Sequence, residues 1–241
     1  PDTAPADVAA RLGADLARDL VPLGQDAGVA ASLADRFVTA GGIATAVRRA
    51  VHDHIEVARR TEPLAPGHGV AVANGTAAPI AQGPMTRVSD RAAFAAAVAD
   101  GGGLPFLALA LLRGPEVREL LEETAALLGD RPWGVGILGF VPPELRAEQL
   151  EAVEAVRPPV ALIAGGRPSQ AAPLEANGIR TYLHAPSPGL VESFAKAGAR
   201  RFVFEGRECG GHVGPRSSFV LWEAAVERLA ALDDVDQLDL L

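Results

Sequence analysis

The residues best suited to chemistry lie in one glycine-rich loop, residues 206–214, where His212 stands among glycines. A short apolar run at 202–204 predicts a buried strand before the loop, and an amphipathic pattern over 217–232 predicts a helix after it. This order places backbone N–H groups and polar side chains at the carboxyl end of a parallel strand, where α/β proteins usually bind ligands. Because imidazole titrates near neutral pH and commonly transfers protons, His212 is the candidate catalytic residue.

The neighbours of His212 leave other chemistry open. Glu208 and Cys209 precede it closely, so a Glu/Cys/His metal site or a Cys–His nucleophile pair is conceivable. The run lacks the paired ligand spacing of structural zinc sites, and a three-residue separation in a loop does not fix a nucleophile against its base. We therefore predict no metal site. His184 ends another predicted strand and, with Glu208, is expected to line the substrate pocket.

Three other glycine-bearing segments occupy strand ends, at 82–87, 134–139 and 165–168. In the first, a Gly-Pro-Met turn either brings the backbone close to a flat ligand or is an ordinary turn with Met85 in the core. In the second, glycines at alternate strand positions admit either a ligand or a neighbouring side chain. In the third, two glycines before a proline-initiated helix indicate either an anion site or a plain turn.

The alternation of short apolar runs with helical patterns predicts about six βα units, each near the usual length. A TIM-type (β/α)8 barrel is the predicted α/β fold, incomplete by two units because such barrels typically need about 250 residues. A doubly wound sheet is the alternative, disfavoured because the turn at Pro84 lacks both a G-x-G-x-x-G pattern and a backbone N–H. The predicted strands are 79–81, 104–111, 133–140, 160–164, 180–184 and 201–205, and the helices 89–100, 115–128, 143–156, 168–177, 188–197 and 217–232.

An alanine-rich pattern over 1–62 predicts a helical N-terminal region, a Pro- and Gly-rich linker follows at 63–77, and the barrel occupies 78–241. The net charge of −8 argues against nucleic-acid and anionic-membrane partners. The chain shows no apolar run long enough for a membrane span, no signal-peptide pattern and one cysteine, so we expect a cytoplasmic protein. Its first residue, Pro1, suggests a piece of a longer protein.

Three segments resemble one known family in the right order. Residues 78–85 resemble the first-strand signature of the nitronate monooxygenase (2-nitropropane dioxygenase-like) flavoproteins. Residues 206–214 are similar to that family's G-x-E-A-G-G-H-x-G loop, and 97–104 match its segment between the first helix and the second strand. The variants at 133–140 and 208–216 look most like the FMN enoyl-reductase-like domains of bacterial polyketide and polyunsaturated-fatty-acid synthases.

This resemblance implies a TIM barrel that binds FMN at the carboxyl ends of its strands. By resemblance, His212 is the catalytic proton-transfer residue, and the cofactor-binding residues are Gly83, Pro84, Met85, Thr86, Gly136, Gly206, Gly210 and Gly211. The implied reaction passes a hydride from NAD(P)H through the flavin to the β-carbon of an enoyl thioester. Implied partners are an acyl carrier protein that holds the thioester and neighbouring synthase domains; a homodimer is left open.

The chain departs from the family at three places. Gly136 stands where the family often has asparagine, and the apolar run 162–164 replaces a polar position. The family's FMN-phosphate site lies on the last two βα units, which we expect to be missing. Two alternatives therefore accompany the enoyl-reductase prediction. One is nitronate oxidation with oxygen, and the other is a barrel without activity that docks neighbouring domains.

Overall fold

The computed structural model describes residues 4–210, 214–232 and 235–241. The chain divides into two compact units, one ending at Glu56 and one running from Val57 to Leu241. The division falls inside a long helix rather than in the predicted linker.

The first unit is helical, with α1 at Pro5–Ala10, a 3-10 turn at Gln25–Val29, α2 at Ala30–Phe37 and α3 at Ala40–Thr61. None of the three α-helices contains a buried residue. The apolar residues Val8, Leu12, Leu16 and Leu20 have near-helical spacing, but α1 ends at Ala10. Leu20 donates its N–H to the Arg11 carbonyl at 2.8 Å and folds residues 11–20 into a closed loop. A Cβ at Gly13 would lie 2.1 Å from the Asp19 carboxylate, so any larger residue there would displace the Asp19 side chain.

The described residues of the second unit form seven parallel strands in sequential order, β1 to β7. The strands are β1 Ala81–Gln82, β2 Leu104–Ala108, β3 Gly134–Leu138, β4 Val160–Ala164, β5 Arg180–His184, β6 Arg201–Val203 and β7 Asp239–Leu240. The helices are α4 Val70–Asn74, α5 Ala92–Asp100, α6 Gly114–Leu128, α7 Pro143–Val156, α8 Pro168–Ala176, α9 Pro188–Lys196 and α10 Ser218–Leu229, with a 3-10 turn at Val235–Gln237. This architecture confirms the predicted incomplete TIM-type barrel. β7 was not predicted, because two residues carry too little pattern.

Strands β2 to β5 are buried on both faces over most of their length, and their successive residues alternate between two apolar clusters. The inner cluster fills the concave side of the sheet. The outer cluster joins the sheet to its helices and includes Leu107, Val135, Ile163 and Phe202. Two buried faces explain why the strand sequences are continuous apolar runs. The inner cluster consists of Leu104, Phe106, Val160, Leu162, Tyr182 and Val203.

The predicted linker contains α4, whose Ala71 and Asn74 are buried. The Tyr182 hydroxyl of β5 donates to Asn74 Oδ1 at 3.3 Å, and the Arg180 guanidinium donates to the carbonyl of Ala73. Burial raises the pKa of Tyr182 above its ordinary value. This helix therefore packs against β5 and stabilises the position of Tyr182 in the inner cluster.

The glycines of β3 make room for neighbouring side chains. A Cβ at Gly136 would lie 2.2 Å from Pro84 Cβ, and one at Gly134 would lie 2.5 Å from the Phe106 ring. Of the two explanations that the sequence leaves open, the structure favours the neighbouring side chain at both positions. Pro84 thus covers Gly136, which the resemblance assigns to the flavin.

We expect Gly136→Ala to destabilise the second unit by roughly 1–3 kcal/mol, since the added methyl overlaps Pro84. Chemical denaturation of both proteins measures this difference. Gly189→Ala in α9 is the matched control, because no atom lies within 4 Å of its Cβ position. The control should be neutral or more stable by about 0.4–1 kcal/mol. Equal stability of Gly136→Ala and wild type would contradict the close contact with Pro84.

Candidate functional site

The carboxyl ends of the parallel strands form one edge, and three of them carry the residues of the candidate site. Gly83 follows β1, His184 ends β5 and Glu205 follows β6. Because these strands curl about the inner cluster, residues far apart in sequence meet at this edge. The structure places Glu205 Oε1 4.0 Å from the Cβ position of Gly83.

His184 and Glu205 form the polar centre of this edge. The His184 side chain is 4% exposed, and its Nε2 lies 3.6 Å from Glu205 Oε2. Glu205 is 29% exposed, so its carboxylate reaches both solvent and imidazole. The sequence analysis named His184 but missed Glu205. The sequence feature that could have identified Glu205 is its position as a lone acidic residue directly after an apolar strand.

Cys209 joins this pair from the glycine-rich loop. Its pKa is raised chiefly by burial, and further by the negative charge of Glu205 and a hydrogen bond to it. A thiol with a raised pKa is a poor nucleophile at neutral pH. This raised pKa does not favour Cys209 as a nucleophile. The Cys–His pair itself stays a prediction, because His212 lies outside the described residues. We call His184, Glu205 and Cys209 the rim cluster.

Glu208 and Gly206 have structural contacts at the start of α10. The Glu208 carboxylate accepts from the Ser218 N–H at 2.9 Å and from Ser218 Oγ at 3.0 Å. Its pKa is lowered by its own backbone N–H and by that of Ser218. Gly206 is required because a Cβ there would lie 2.2 Å from the Ser218 nitrogen. These contacts account for both residue types without a ligand, so their predicted substrate and cofactor roles stay predictions.

Four of the predicted cofactor residues are open to a ligand. Gly83, Met85 and Thr86 are exposed, and nothing lies within 4 Å of a Cβ at Gly210. Met85 is 43% exposed, so the alternative of a core residue does not hold. The Met85 N–H donates to the Oγ of buried Ser89 at 2.8 Å and anchors the turn. Gly211 and His212 lie outside the described residues, so their predicted roles rest on the sequence motif.

The loop between β4 and α8 borders a cavity of about 540 Å³. His184 lines this cavity, together with Pro186 and residues of α9. The N–H of Arg167 donates to Gln170 Oε1 at 3.0 Å, so one donor at the start of α8 is satisfied within the helix. This contact favours a plain turn over an anion site in the third predicted loop.

Two classes of site find no support in the described part of the chain. No three histidine, cysteine, aspartate or glutamate side chains there group closely enough to bind a metal ion. Helices that combine the length and the apolar character required to cross a bilayer are likewise absent from it.

Solved structures share this fold. FabK from Thermotoga maritima is 27% identical with a TM-score of 0.60, over 66% of this chain and 50% of that one. A single-residue mutant of the same FabK is 25% identical with a TM-score of 0.59, over 68% and 53% of the two chains. Nitroalkane oxidase from Streptomyces ansochromogenes is 22% identical with a TM-score of 0.57, over 68% and 58%. The chain thus spans about half the length of these neighbours. No protein-family model and no curated protein matches the sequence.

The fold and its carboxyl-edge site define a TIM-type α/β barrel. The likeness to FabK confirms the resemblance of this chain to the nitronate monooxygenase-like FMN barrel family, which the motifs at 78–85 and 206–214 indicate.

We expect Glu205→Gln to lower the pKa of Cys209, since it removes a negative charge beside the thiol. The rate of iodoacetamide alkylation at pH 8 should rise about twofold to tenfold, in proportion to the thiolate fraction. Cys209 is the only cysteine of the chain, so the rate reports this thiol alone. Glu208→Gln is the matched control and should leave the rate near wild type. Equal rates for Glu205→Gln and wild type would contradict the rim cluster.

We expect Glu208→Gln to lower the Tm at pH 7, because the charged carboxylate caps α10. The folded-state pKa of Glu208 is lowered from the ordinary value of a glutamate, which the unfolded chain retains. Its stabilisation is therefore present above the unfolded pKa and is lost as pH falls through the folded pKa. Thermal unfolding at pH 7 and at about pH 3 measures the effect. The Tm difference from wild type should shrink at acid pH, and a constant difference would contradict a charge-dependent cap.

Proposed function

We propose that this chain is part of an FMN-dependent oxidoreductase of the enoyl-thioester reductase type, with NAD(P)H as reductant. One observation carries the proposal: Gly83, at the start of the turn that ends with the exposed Met85, lies beside the carboxylate of Glu205, which in turn contacts the buried His184. An open platform next to an acid–base pair suits a reaction that moves a hydride and a proton. The likeness to FabK, at 27% identity, supports the same class of activity.

The described residues fit the flavin ring in part. Gly83 and Gly210 leave space at the edge, and their lack of a side chain permits a flat ring to approach the backbone. Met85 is exposed at the same turn and offers an apolar side chain to the ring. Gly136 and Gly206 do not fit this role, since Pro84 and the start of α10 fill the space beside them. The ring would therefore lie on the β1 side of the edge, over the Gly83–Met85 turn.

Bound FMN supplies the two-electron chemistry of such a reaction. The residues of the chain supply the proton and the orientation. Reduction of an enoyl thioester adds a hydride at the β-carbon and a proton at the α-carbon. In this proposal His212 gives that proton or orients the thioester carbonyl, as the family motif implies. Glu205 holds His184 at the edge, and the apolar inner cluster excludes water from below.

The finer parts of the proposal come from the sequence motifs. The acyl carrier protein that delivers the thioester and the neighbouring synthase domains are proposed partners from the resemblance at 133–140 and 208–216. Nitronate oxidation is the competing reaction. Here His212 removes the proton next to the nitro group when the substrate enters as the neutral nitroalkane, and a nitronate supplied directly has no such proton to lose. The competing reaction needs oxygen and no NAD(P)H, so the two are separable by assay.

The test combines cofactor binding with turnover by the full chain. We expect the protein to take up FMN, detected by its visible absorption, and to oxidise NADPH only when crotonyl-pantetheine is present. His212→Ala should keep FMN and lose about 10²–10⁴-fold in turnover. His54→Ala, at an exposed position in α3, is the control.

Three outcomes would overturn this proposal. Turnover of propyl-2-nitronate with oxygen alone would replace it with nitronate oxidation. A protein that never binds FMN would favour the docking barrel. Full reductase activity in His212→Ala would remove the assigned role of this residue.

A further inference from the structure

The cavity between α8 and α9 extends the carboxyl edge away from the barrel axis. It is about 540 Å³, within the usual range for a small-molecule site of roughly 300–1,000 Å³. Its wall is largely apolar, formed by Pro186 together with Leu190 and Phe194 of α9. Its polar lining comes from the Arg167 side chain and the hydroxyls of Ser169 and Ser193, all three at exposed positions.

One residue of the rim cluster, the buried His184, is part of the cavity wall. His184 lines the cavity, and its Nε2 lies 3.6 Å from the Glu205 carboxylate. A ligand whose polar head lies at His184 can therefore extend an apolar tail into the cavity. The same ligand would keep its head beside the Gly83–Met85 turn, because Glu205 also approaches Gly83.

Other routes for an apolar tail are closed. The centre of the barrel is packed by the inner cluster, whose Leu104, Phe106 and Tyr182 are almost fully buried. On the β3 side of the edge, Pro84 occupies the space beside Gly136. Of these three routes, the groove between α8 and α9 is the one that the described residues leave open from His184.

We propose that this cavity binds the acyl chain of a thioester substrate, with the thioester group at His184. The proposal rests on the proposed function for the identity of the head group, and it adds the position of the chain and the residues that limit its length. Leu190, Ser193 and Phe194 of α9 then determine which chain lengths are accepted, since they form the wall opposite α8.

The test measures binding rather than turnover. Saturated acyl-pantetheines from butanoyl to decanoyl are titrated into the full chain by isothermal calorimetry, because they cannot be reduced. We expect affinity to rise by up to about threefold to fourfold for each buried methylene, and by at least tenfold across the series. Affinity that does not change with chain length would overturn the proposal.

Variants place the chain in this cavity. Ser193→Trp fills the groove from an exposed position and should weaken decanoyl-pantetheine binding at least about tenfold, with little effect on butanoyl-pantetheine. Leu127→Trp, on the exposed face of α6, is the control for the added indole. If Ser193→Trp fails to fold, Leu190→Asp serves instead, because a carboxylate is tolerated in the first turn of α9 but desolvated by an acyl chain.

The outcomes separate this inference from the proposed reaction. In one outcome, binding depends on chain length and is weakened by Ser193→Trp, but the protein binds no FMN and turns over no enoyl thioester. This outcome would support the acyl-chain cavity and reject the proposed reaction. In the other outcome, the protein has reductase activity, but Ser193→Trp and Leu127→Trp bind decanoyl-pantetheine with equal affinity. This outcome would support the proposed reaction and overturn the cavity assignment.

Discussion

The contact between Pro84 and Gly136 is the constraint on which the candidate site depends. β1 pairs with β2 over two residues only, which is too little backbone pairing to fix the turn that follows it. Pro84 packs where a side chain on β3 would lie, and the Gln82 amide adds hydrogen bonds to both backbone groups of Phe106. Together they hold Gly83 and Met85 at the carboxyl edge.

The rim cluster shows why a parallel sheet suits this chemistry. Its side chains come from β5, the end of β6 and the following loop. All three segments are far in sequence from the β1 turn. Curling of the sheet brings these side chains within contact distance of one another. The apolar inner cluster packs the space beneath them. In such surroundings a charge on His184 or Glu205 has a stronger effect than in water.

The glycine-rich loop serves structure as much as function. Glu208 caps α10, and Gly206 lets that helix begin close to the end of β6. A motif that resembles a cofactor loop therefore contains residues whose type is explained by helix packing alone. Open positions such as Gly210 differ, because no neighbour in the described chain requires a glycine there.

The sequence by itself determined the six βα units, since strands buried on both faces read as apolar runs and the helices keep their own period. It also identified His184 and the β1 turn, because polar residues and glycines directly after strands are local signals. Only the tertiary structure decided that Glu205 meets His184, that Pro84 fills the space at Gly136 and that Glu208 caps a helix. These contacts join residues that are 10 to 52 positions apart in sequence. A local sequence pattern contains no information about which strand ends lie close together. β7 escaped prediction for the same reason, because its two residues are a strand only through pairing with β6.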